Sequence, residues 1–381
     1  MMKKCSKIKL KLLELIAASG EAERFYLSFI STCTKDYIRQ NLSELKADNL
    51  IREYKIEGVR TYRLTSEGKK FLTELNPTRF ENFFVGTGAV NKPRSDPGRR
   101  DRILKTSQAI ILFGQTNVKI FPDEKFLLYK DSVITRADNT DGINFLAEKS
   151  IAEFYTSAEL KEMFIEFKKA RGSRAIGLLI TKSFVYIVYN TGEVPIKWQE
   201  QTEIKFKVAV EKEIVRKIFK GKKEIKWLVL GSGYKIPTML LDKSRQGKET
   251  YINIHYDNLG KVFVDIKNRN HMRSLKMIAD ENFYDYLVKR IKEDYGFNVR
   301  GNSRFNTFDE DGYPVLIAMH FDLRLANDFI QHLYNNKQSG NVACLHNYRF
   351  ILSEMKGKVS LGMYDININQ YEEEYENAKT N

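Results

Sequence analysis

The sequence predicts an α+β multidomain protein: a small N-terminal unit of helices carrying one two-stranded hairpin, followed by a longer α/β body. Three observations predict it. In the first 80 residues short capped amphipathic helices stand beside a pair of strand-like runs; glycines, prolines and a basic cluster then break the pattern; from residue 109 helical and strand-like stretches alternate. At 381 residues the chain is long enough for more than one core. Its 42% hydrophobic, 12% aromatic and 29% charged residues are those of a globular protein.

The first helix is expected where Ile8, Leu12, Leu15 and Ile16 recur at helical spacing, with Gly20 as its C-terminal cap. Charges at Lys9, Lys11 and Glu14 interrupt that apolar run, so a signal peptide is not expected. "ERFYLSFI" predicts a second short helix whose Phe25, Leu27, Phe29 and Ile30 belong to the core, and Ser31, Thr32 and Cys33 make a turn. Thr34 caps a third helix. Ile38, Leu42 and Leu45 line one of its faces, and Lys35, Tyr37, Arg39, Gln40, Ser43 and Lys46 line the other. That second face is long-reaching and rich in donors, which suits base edges in a major groove; an ordinary solvated face has the same composition.

"LIREYKI" and "VRTYRL" alternate like strands and are joined at Glu57-Gly58, a tight hairpin that carries Lys55, Arg60 and Arg63. "TSEGKKFLTEL" then predicts a capped closing helix. Three helices, a two-stranded wing and a further helix resemble the winged helix-turn-helix domains of bacterial transcription regulators. The specific likeness is "LSELKADNLIREYKIEGVRTYRLTSEGKKFL", which looks like that family's recognition helix, wing and "LTxxG" entry to the last helix. What the resemblance implies for residues 1–80 is duplex DNA binding, with the third helix in the major groove and the hairpin on phosphates. Some winged helices bind protein instead. Sixteen Lys and Arg against ten Asp and Glu in residues 1–80 suit phosphate contacts.

Residues 81–108 are expected to be a basic linker, with Arg99, Arg100 and Arg102 tracking a DNA backbone and Lys92, Arg94 and Lys105 alongside. "GTGAVN" lacks the ending of a phosphate loop.

The body is expected over 109–275, with a further α/β unit over 276–370 and an acidic, solvated tail over 371–381. A helix over Thr156 to Gly172, strands in "SRAIGLLITKS" and "FVYIVYNTG", a third strand in "QTEIKFKVAV", the helix "EKEIVRKIFKG" and the strand "EIKWLVLGSG" give the order αβββαβ. That order resembles the restriction-endonuclease-like core, here at 150–235. On the third strand Glu203 and Lys205 share a face, where a carboxylate holds Mg²⁺ and a lysine steadies the attacking water. Asn190 stands where such a nuclease has a metal-bridging acid, so cutting requires another acid such as Glu166. The expectation is a DNA-handling body that is not an enzyme; an active metal-dependent endonuclease is the alternative.

The last third carries no motif for a reaction. His320 and Asp322 are expected to be a structurally satisfied pair, "YRFILSEMKGKVSLGMYDI" a hairpin, and Tyr364, Tyr371 and Tyr375 parts of a solvated end. The histidines include no His-x-His pair, and Cys344 with His346 makes an awkward zinc site.

A formal net charge of +14 favours a polyanionic partner. Three scattered cysteines (Cys5, Cys33, Cys344) give no disulfide framework and fit a reducing cytoplasm. No apolar run reaches the roughly 18–20 residues of a membrane helix. The layout of winged helix, basic linker and nuclease-like body is similar to the replication-relaxation proteins of plasmids and conjugative elements in Gram-positive bacteria, with "SRAIGLLITKSFVYIVYNTG" and "EIKFKV" as a looser likeness. It implies a mobile-element protein acting in DNA processing or replication control. Double-stranded DNA is the expected partner, a homodimer is open, and no cofactor is expected beyond Mg²⁺ in the case of cleavage. The rival from another class is a transcription regulator whose C-terminal region senses a ligand or dimerises.

Overall fold

A computed structural model describes residues 6–30, 33–84, 96–125, 127–128, 152–194, 199–233, 235–241, 257–267, 271–357 and 359–380. The protein is a mixture of α and β structure with several sheets. It divides into two compact units. The first is Met1–Leu146 with Ile151–Met163 and Ile176–Leu178; the second is Ala147–Ser150, Phe164–Ala175 and Leu179–Asn381.

In the first unit α1 (Lys7–Ser19) is capped by Ser6, which accepts from the Lys9 amide, and is closed by Gly20 at φ 70°. Its Leu12, Leu13, Leu15 and Ile16 are buried, as the spacing requires. β1 (Ala22–Glu23) follows, then α2 (Arg24–Leu27), a single turn that buries Tyr26 and Leu27 and leaves Phe25 41% exposed, so Phe25 is not core. α3 (Lys35–Ala47) starts at Thr34, whose Oγ1 accepts from the Tyr37 amide, and buries Ile38, Leu42 and Leu45. β2 (Ile51–Ile56) and β3 (Val59–Leu64) pair antiparallel around Glu57 and Gly58, both at positive φ, which is the backbone that fits the twist of a two-residue hairpin. β1 adds to the outer side of β3, with Ala22 opposite Tyr62, giving the order β1-β3-β2. α4 (Ser66–Leu75) is capped by Thr65. A Cβ on Gly68 would lie 2.0 Å from the Leu50 carbonyl oxygen, so this turn closes only on a glycine.

After α5 (Pro77–Phe83) comes a correction to the expected linker. Its second half is α6 (Pro97–Gly114), an 18-residue helix capped by Asp96 and packed against α1. Arg100, Leu104, Ser107 and Ile111 are its buried stripe, at spacings of four, three and four. The helical period was present in the sequence but lay under the glycines and prolines before it. Lys92 and Arg94 lie outside the described residues. β4 (Glu153–Thr156) and α7 (Ser157–Met163) complete this unit. The fully buried Lys125 donates there to the Phe154 carbonyl oxygen at 2.9 Å and to Glu159.

The second unit opens on α8 (Ile165–Lys169), so the helix expected over 156–172 is two pieces. β5 (Gly177–Ile180) is the strand at which the chain passes between units. β6 (Phe184–Gly192), β7 (Glu224–Gly231) and β8 (Lys261–Asp265) run parallel with Tyr189 opposite Val229 and Leu228 opposite Val262. Tyr189 stacks on the buried Trp227 at 4.9 Å. Between β6 and β7 lies the second correction: residues 201–210 are not a strand but part of α9 (Glu200–Ala209), which runs into a π-helical turn over Val210–Arg216. Parallel neighbours need a crossover, and a helix supplies it. The buried positions are Glu203, Phe206, Ala209, Val210, Glu213, Ile214 and Val215, a helical series, while Ile204 and Val208, which a strand would place with Phe206 on one face, are exposed. The order αβββαβ is therefore not present, and with it goes the restriction-endonuclease-like core expected at 150–235.

Further on, α10 (Lys235–Leu241), α11 (His271–Ala279) and α12 (Glu281–Asp294) lead to the short pair β9 (Asn298–Val299) and β10 (Thr307–Phe308). A second parallel sheet follows: β11 (Val315–Ile317), β12 (Gly340–Cys344) and β13 (Leu361–Asp365), with α13 (Leu323–Asn335) and α14 (Arg349–Met355) as crossovers. The hairpin expected over 348–366 is thus a helix and a parallel strand. The tail is corrected too. Residues Asn369–Thr380 form α15, which buries Tyr371 and Tyr375 and sets Glu372 and Glu376 on Lys276 at 2.8 and 2.9 Å.

Candidate nucleic-acid interface

α3 presents Lys35, Tyr37, Arg39, Gln40, Ser43 and Lys46 to solvent, all six on the side away from its buried Ile38, Leu42 and Leu45. The cap at Thr34 and a hydrogen bond from Asn41 Nδ2 to the Tyr37 carbonyl oxygen, 2.8 Å, fix its first turn. Within the face, Arg39 pairs with Asp36 at 3.2 Å and Gln40 donates to Glu44 at 2.9 Å. Glu44 also takes Lys9 at 2.8 Å, and the hydrogen bond from Lys9 holds its carboxyl below the usual carboxylate range. Lys35 makes no ion pair among the described residues.

The hairpin continues the cationic surface, and its register is informative. Arg52 lies directly opposite Arg63, and Lys55 directly opposite Arg60. Like charges facing each other across a strand pair are destabilising by a fraction of a kcal/mol, roughly 0.2–1. Glu53 offsets part of this: it takes Lys46 at 2.9 Å and Arg60 at 3.8 Å. The hydrogen bond from Lys46 holds the Glu53 carboxyl low, and the same bond raises Lys46. One carboxylate thus ties the last turn of α3 to the hairpin. Lys55 and Arg63 have no such acid among the described residues.

α6 divides the basic cluster. Arg99 and Arg102 are exposed, whereas Arg100 is buried and its Nη2 lies 2.9 Å from Glu21 Oε1. Arg100 is therefore not available to a phosphate. The same Glu21 oxygen accepts from Thr61 Oγ1 of β3 at 2.9 Å, and Gln108 donates to Glu23 at 2.6 Å. Sequence reasoning missed this hub. Its only signal was Arg100 at helical spacing from Leu104, Ser107 and Ile111.

The candidate catalytic pair does not assemble. Two residues apart on a helix means nearly opposite faces: Glu203 is 1% exposed and Lys205 is exposed. Glu203 accepts from Ser173 Oγ at 2.8 Å, from the Arg174 amide at 2.7 Å and from the Tyr189 hydroxyl at 2.8 Å, while burial pushes its carboxyl up. Both oxygens are engaged in tying the 173–174 loop to α9 and β6. Glu166 pairs with Lys169 at 2.8 Å and Lys212 at 3.5 Å. Asn190 is buried, and its Oδ1 accepts from the Gly192 amide at 3.0 Å.

Asp322 caps α13 through the Arg324 and Leu325 amides and accepts from the Lys261 amide at 3.0 Å. His320 stacks on Tyr284 at 3.6 Å, and burial lowers it to about 3. Asp322 is thus a cap, whereas His320 Nε2 is buried with no hydrogen-bond partner among the described residues, so the two are not the satisfied pair expected. His346 Nδ1 lies 3.3 Å from Asp365, which Arg349 also reaches at 3.0 Å.

Compared with known proteins, the chain is matched by no family model, no curated protein and no solved structure.

Proposed function

We propose that residues 6–84, with α6, form a winged helix-turn-helix unit that grips duplex DNA, α3 entering the major groove and the β2–β3 hairpin meeting phosphates. The observation that carries it is the hairpin register. One cation pair, Lys55 with Arg60, stands face to face on the ribbon face that carries Glu53, the partner of Lys46 on the donor-rich helix, an arrangement that costs folding free energy until a polyanion neutralises it; Arg52 and Arg63 oppose each other on the other face of the ribbon. Major-groove reading suits Lys35, Tyr37, Arg39 and Gln40 because they lie in the first half of the helix, where base edges are reached. The setting proposed for this grip is replication or DNA-processing control on a mobile element, for which the winged-helix residues alone remain as support; regulation of transcription is the alternative. A metal-dependent nuclease role is not proposed, since the strand that was to hold Glu203 and Lys205 is a helix.

The test is fluorescence polarisation of the full chain on labelled duplexes at several salt concentrations. Binding that weakens with salt, and a slope that shrinks by about 0.9 for each phosphate-contacting cation removed, supports the proposal. Affinity unchanged in a Lys55→Ala/Arg63→Ala variant sinks it.

A further inference from the structure

A cavity of about 530 Å³ opens in the second unit between α12, residues 304–307 and β11. That volume lies within the roughly 300–1,000 Å³ of small-molecule sites. The cleft has two distinct ends, because α12 and β11 run past each other in opposite senses. At one end Tyr284 of α12 stacks at 3.6 Å on His320, which lies just beyond the close of β11. At the other end the Phe297 amide donates to the Lys292 carbonyl oxygen at 2.8 Å and the chain enters β9, whose Val299 pairs with Thr307. Phe308 is then bridged to Pro314, where β11 begins.

Val288, Val315, Leu316 and Ile317 make the wall between these ends apolar. The charges around it are not evenly matched. Lys289 lies 3.9 Å from Glu293, which also takes Arg290 at 3.3 Å, and Arg304 lies 2.9 Å from Asp328. Asp285 and Lys292 line the same cavity and make no ion pair among the described residues. Lys292 is half-buried, and an ammonium confined beside apolar walls without a carboxylate favours an anion. Seven residues are two helical turns, so Asp285 and Lys292 share one side of α12 and stand about 10.5 Å apart along its axis. A ligand that spans the cleft therefore meets a carboxylate beside an aromatic ring at one end and an ammonium at the other. The ring is braced from behind by His320, 18° from parallel, which holds it as a fixed platform.

We infer that this cleft binds a nucleoside 5′-monophosphate unit whose base carries an exocyclic amino group: cytosine, adenine or guanine. The base lies against Tyr284 and donates its amino group to Asp285, the sugar crosses the apolar wall, and the phosphate meets Lys292. A π face suits the ring, a base amino group suits a carboxylate, and a nucleotide holds these apart from its phosphate by a length of this order. A simple anion would leave Tyr284 and Asp285 unused, and an aliphatic acid would set Asp285 against hydrocarbon. A free nucleotide and an unpaired residue of single-stranded DNA both present this unit. The site lies in the second unit and does not rest on the duplex grip of the first.

The experiment is isothermal titration of the full chain with dCMP, dAMP, dGMP and dTMP, with phenyl phosphate and inorganic phosphate as controls. At least one of the three amino-bearing nucleotides is expected to bind about tenfold tighter than dTMP and than either control. Lys292→Ala is expected to bring that nucleotide down to the affinity of its nucleoside, and Asp285→Ala to erase the preference over dTMP, both with the melting temperature retained. Lys55→Ala/Arg63→Ala, which removes hairpin cations, is expected to leave nucleotide affinity as it was, so the two readings fail separately. A short oligonucleotide of the preferred base that binds more tightly than its mononucleotide, and loses this with Lys292→Ala, assigns the site to single-stranded DNA. Equal affinity assigns it to the free nucleotide. The site is overturned when neither the nucleotides nor the oligonucleotide bind in a Lys292-dependent way. It is equally overturned when phenyl phosphate or dTMP binds as tightly as the amino-bearing nucleotides.

Discussion

Arg100 and Glu21, 79 residues apart in sequence, form a buried ion pair with Nη2 2.9 Å from Oε1 and side chains only 6% and 3% exposed. Thr61 of β3 donates to the same oxygen, so the helix after the winged unit and the middle strand of its sheet hang on one carboxylate. Arg100→Ala is expected to destabilise the first unit by about 3–5 kcal/mol, since it leaves a buried charge without its partner. Arg99→Ala and Arg102→Ala, at exposed positions, are expected to stay within about 0.5 kcal/mol of the parent. Urea unfolding of the three variants separates the two classes, and similar losses in all three would contradict the buried role.

Sequence discrimination is expected to reside on α3. Arg39→Ala combined with Gln40→Ala should relax preference among duplexes, with each lost base contact worth about 1–3 kcal/mol, and should leave binding to random DNA nearly as it was. Competition between a selected site and random duplex reads this out. An equal loss on both would move these residues to the phosphates.

The hairpin cations should behave in the opposite way. Arg60→Ala, Lys55→Ala and Arg63→Ala are expected to weaken binding to every duplex and to lower the salt slope by about 0.9 each where a phosphate contact is lost. The free protein should gain slightly in stability when Lys55 or Arg63 is removed, because a like-charge pair across the strands disappears. Thermal melts without DNA check the sign.

Glu203→Ala should lower stability, because the donors from Ser173, Arg174 and Tyr189 are left without an acceptor, at about 1–3 kcal/mol for each group that stays buried. Lys205→Ala should do almost nothing. The Glu203 carboxyl is raised by burial above its ordinary value of 4.5, so ionisation is harder in the folded state. Its contribution is full below 4.5 and is lost as the pH rises through the raised value, so the parent should lose ground to Glu203→Gln over that window. Denaturant titrations from pH 4 upward measure the difference. Cleavage of supercoiled DNA in Mg²⁺ that disappears in both Glu203→Gln and Lys205→Ala would restore the nuclease assignment.

His320 sets a second pH dependence of opposite sense. Burial lowers it from an ordinary 6.5 to about 3, so the folded state holds it neutral. The stability it contributes is present above 6.5 and is lost as the pH falls from there towards 3, because the unfolded chain takes up the proton first. His320→Gln should flatten the acid limb of the stability curve between these values. An unchanged limb would mean the imidazole is protonated in the folded protein.

The sequence by itself determined α1, α3, the β2–β3 hairpin and α4. Thr34 and Thr65 are caps that act within their own turn, Glu57-Gly58 supplies the positive φ its hairpin needs, and Ile38, Leu42 and Leu45 share a face by helical geometry alone. All of these causes are local, and so are the exposed positions of Lys35, Tyr37, Arg39 and Gln40 on the opposite face. Only the tertiary structure decided the rest. "QTEIKFKVAV" satisfies a period of two as well as a period of 3.6, and the need for a crossover between the parallel β6 and β7 made it a helix. Arg100 looks like its neighbours Arg99 and Arg102 until Glu21 is seen to face it. Each of these outcomes depends on a partner distant along the chain, which spacing and composition do not encode.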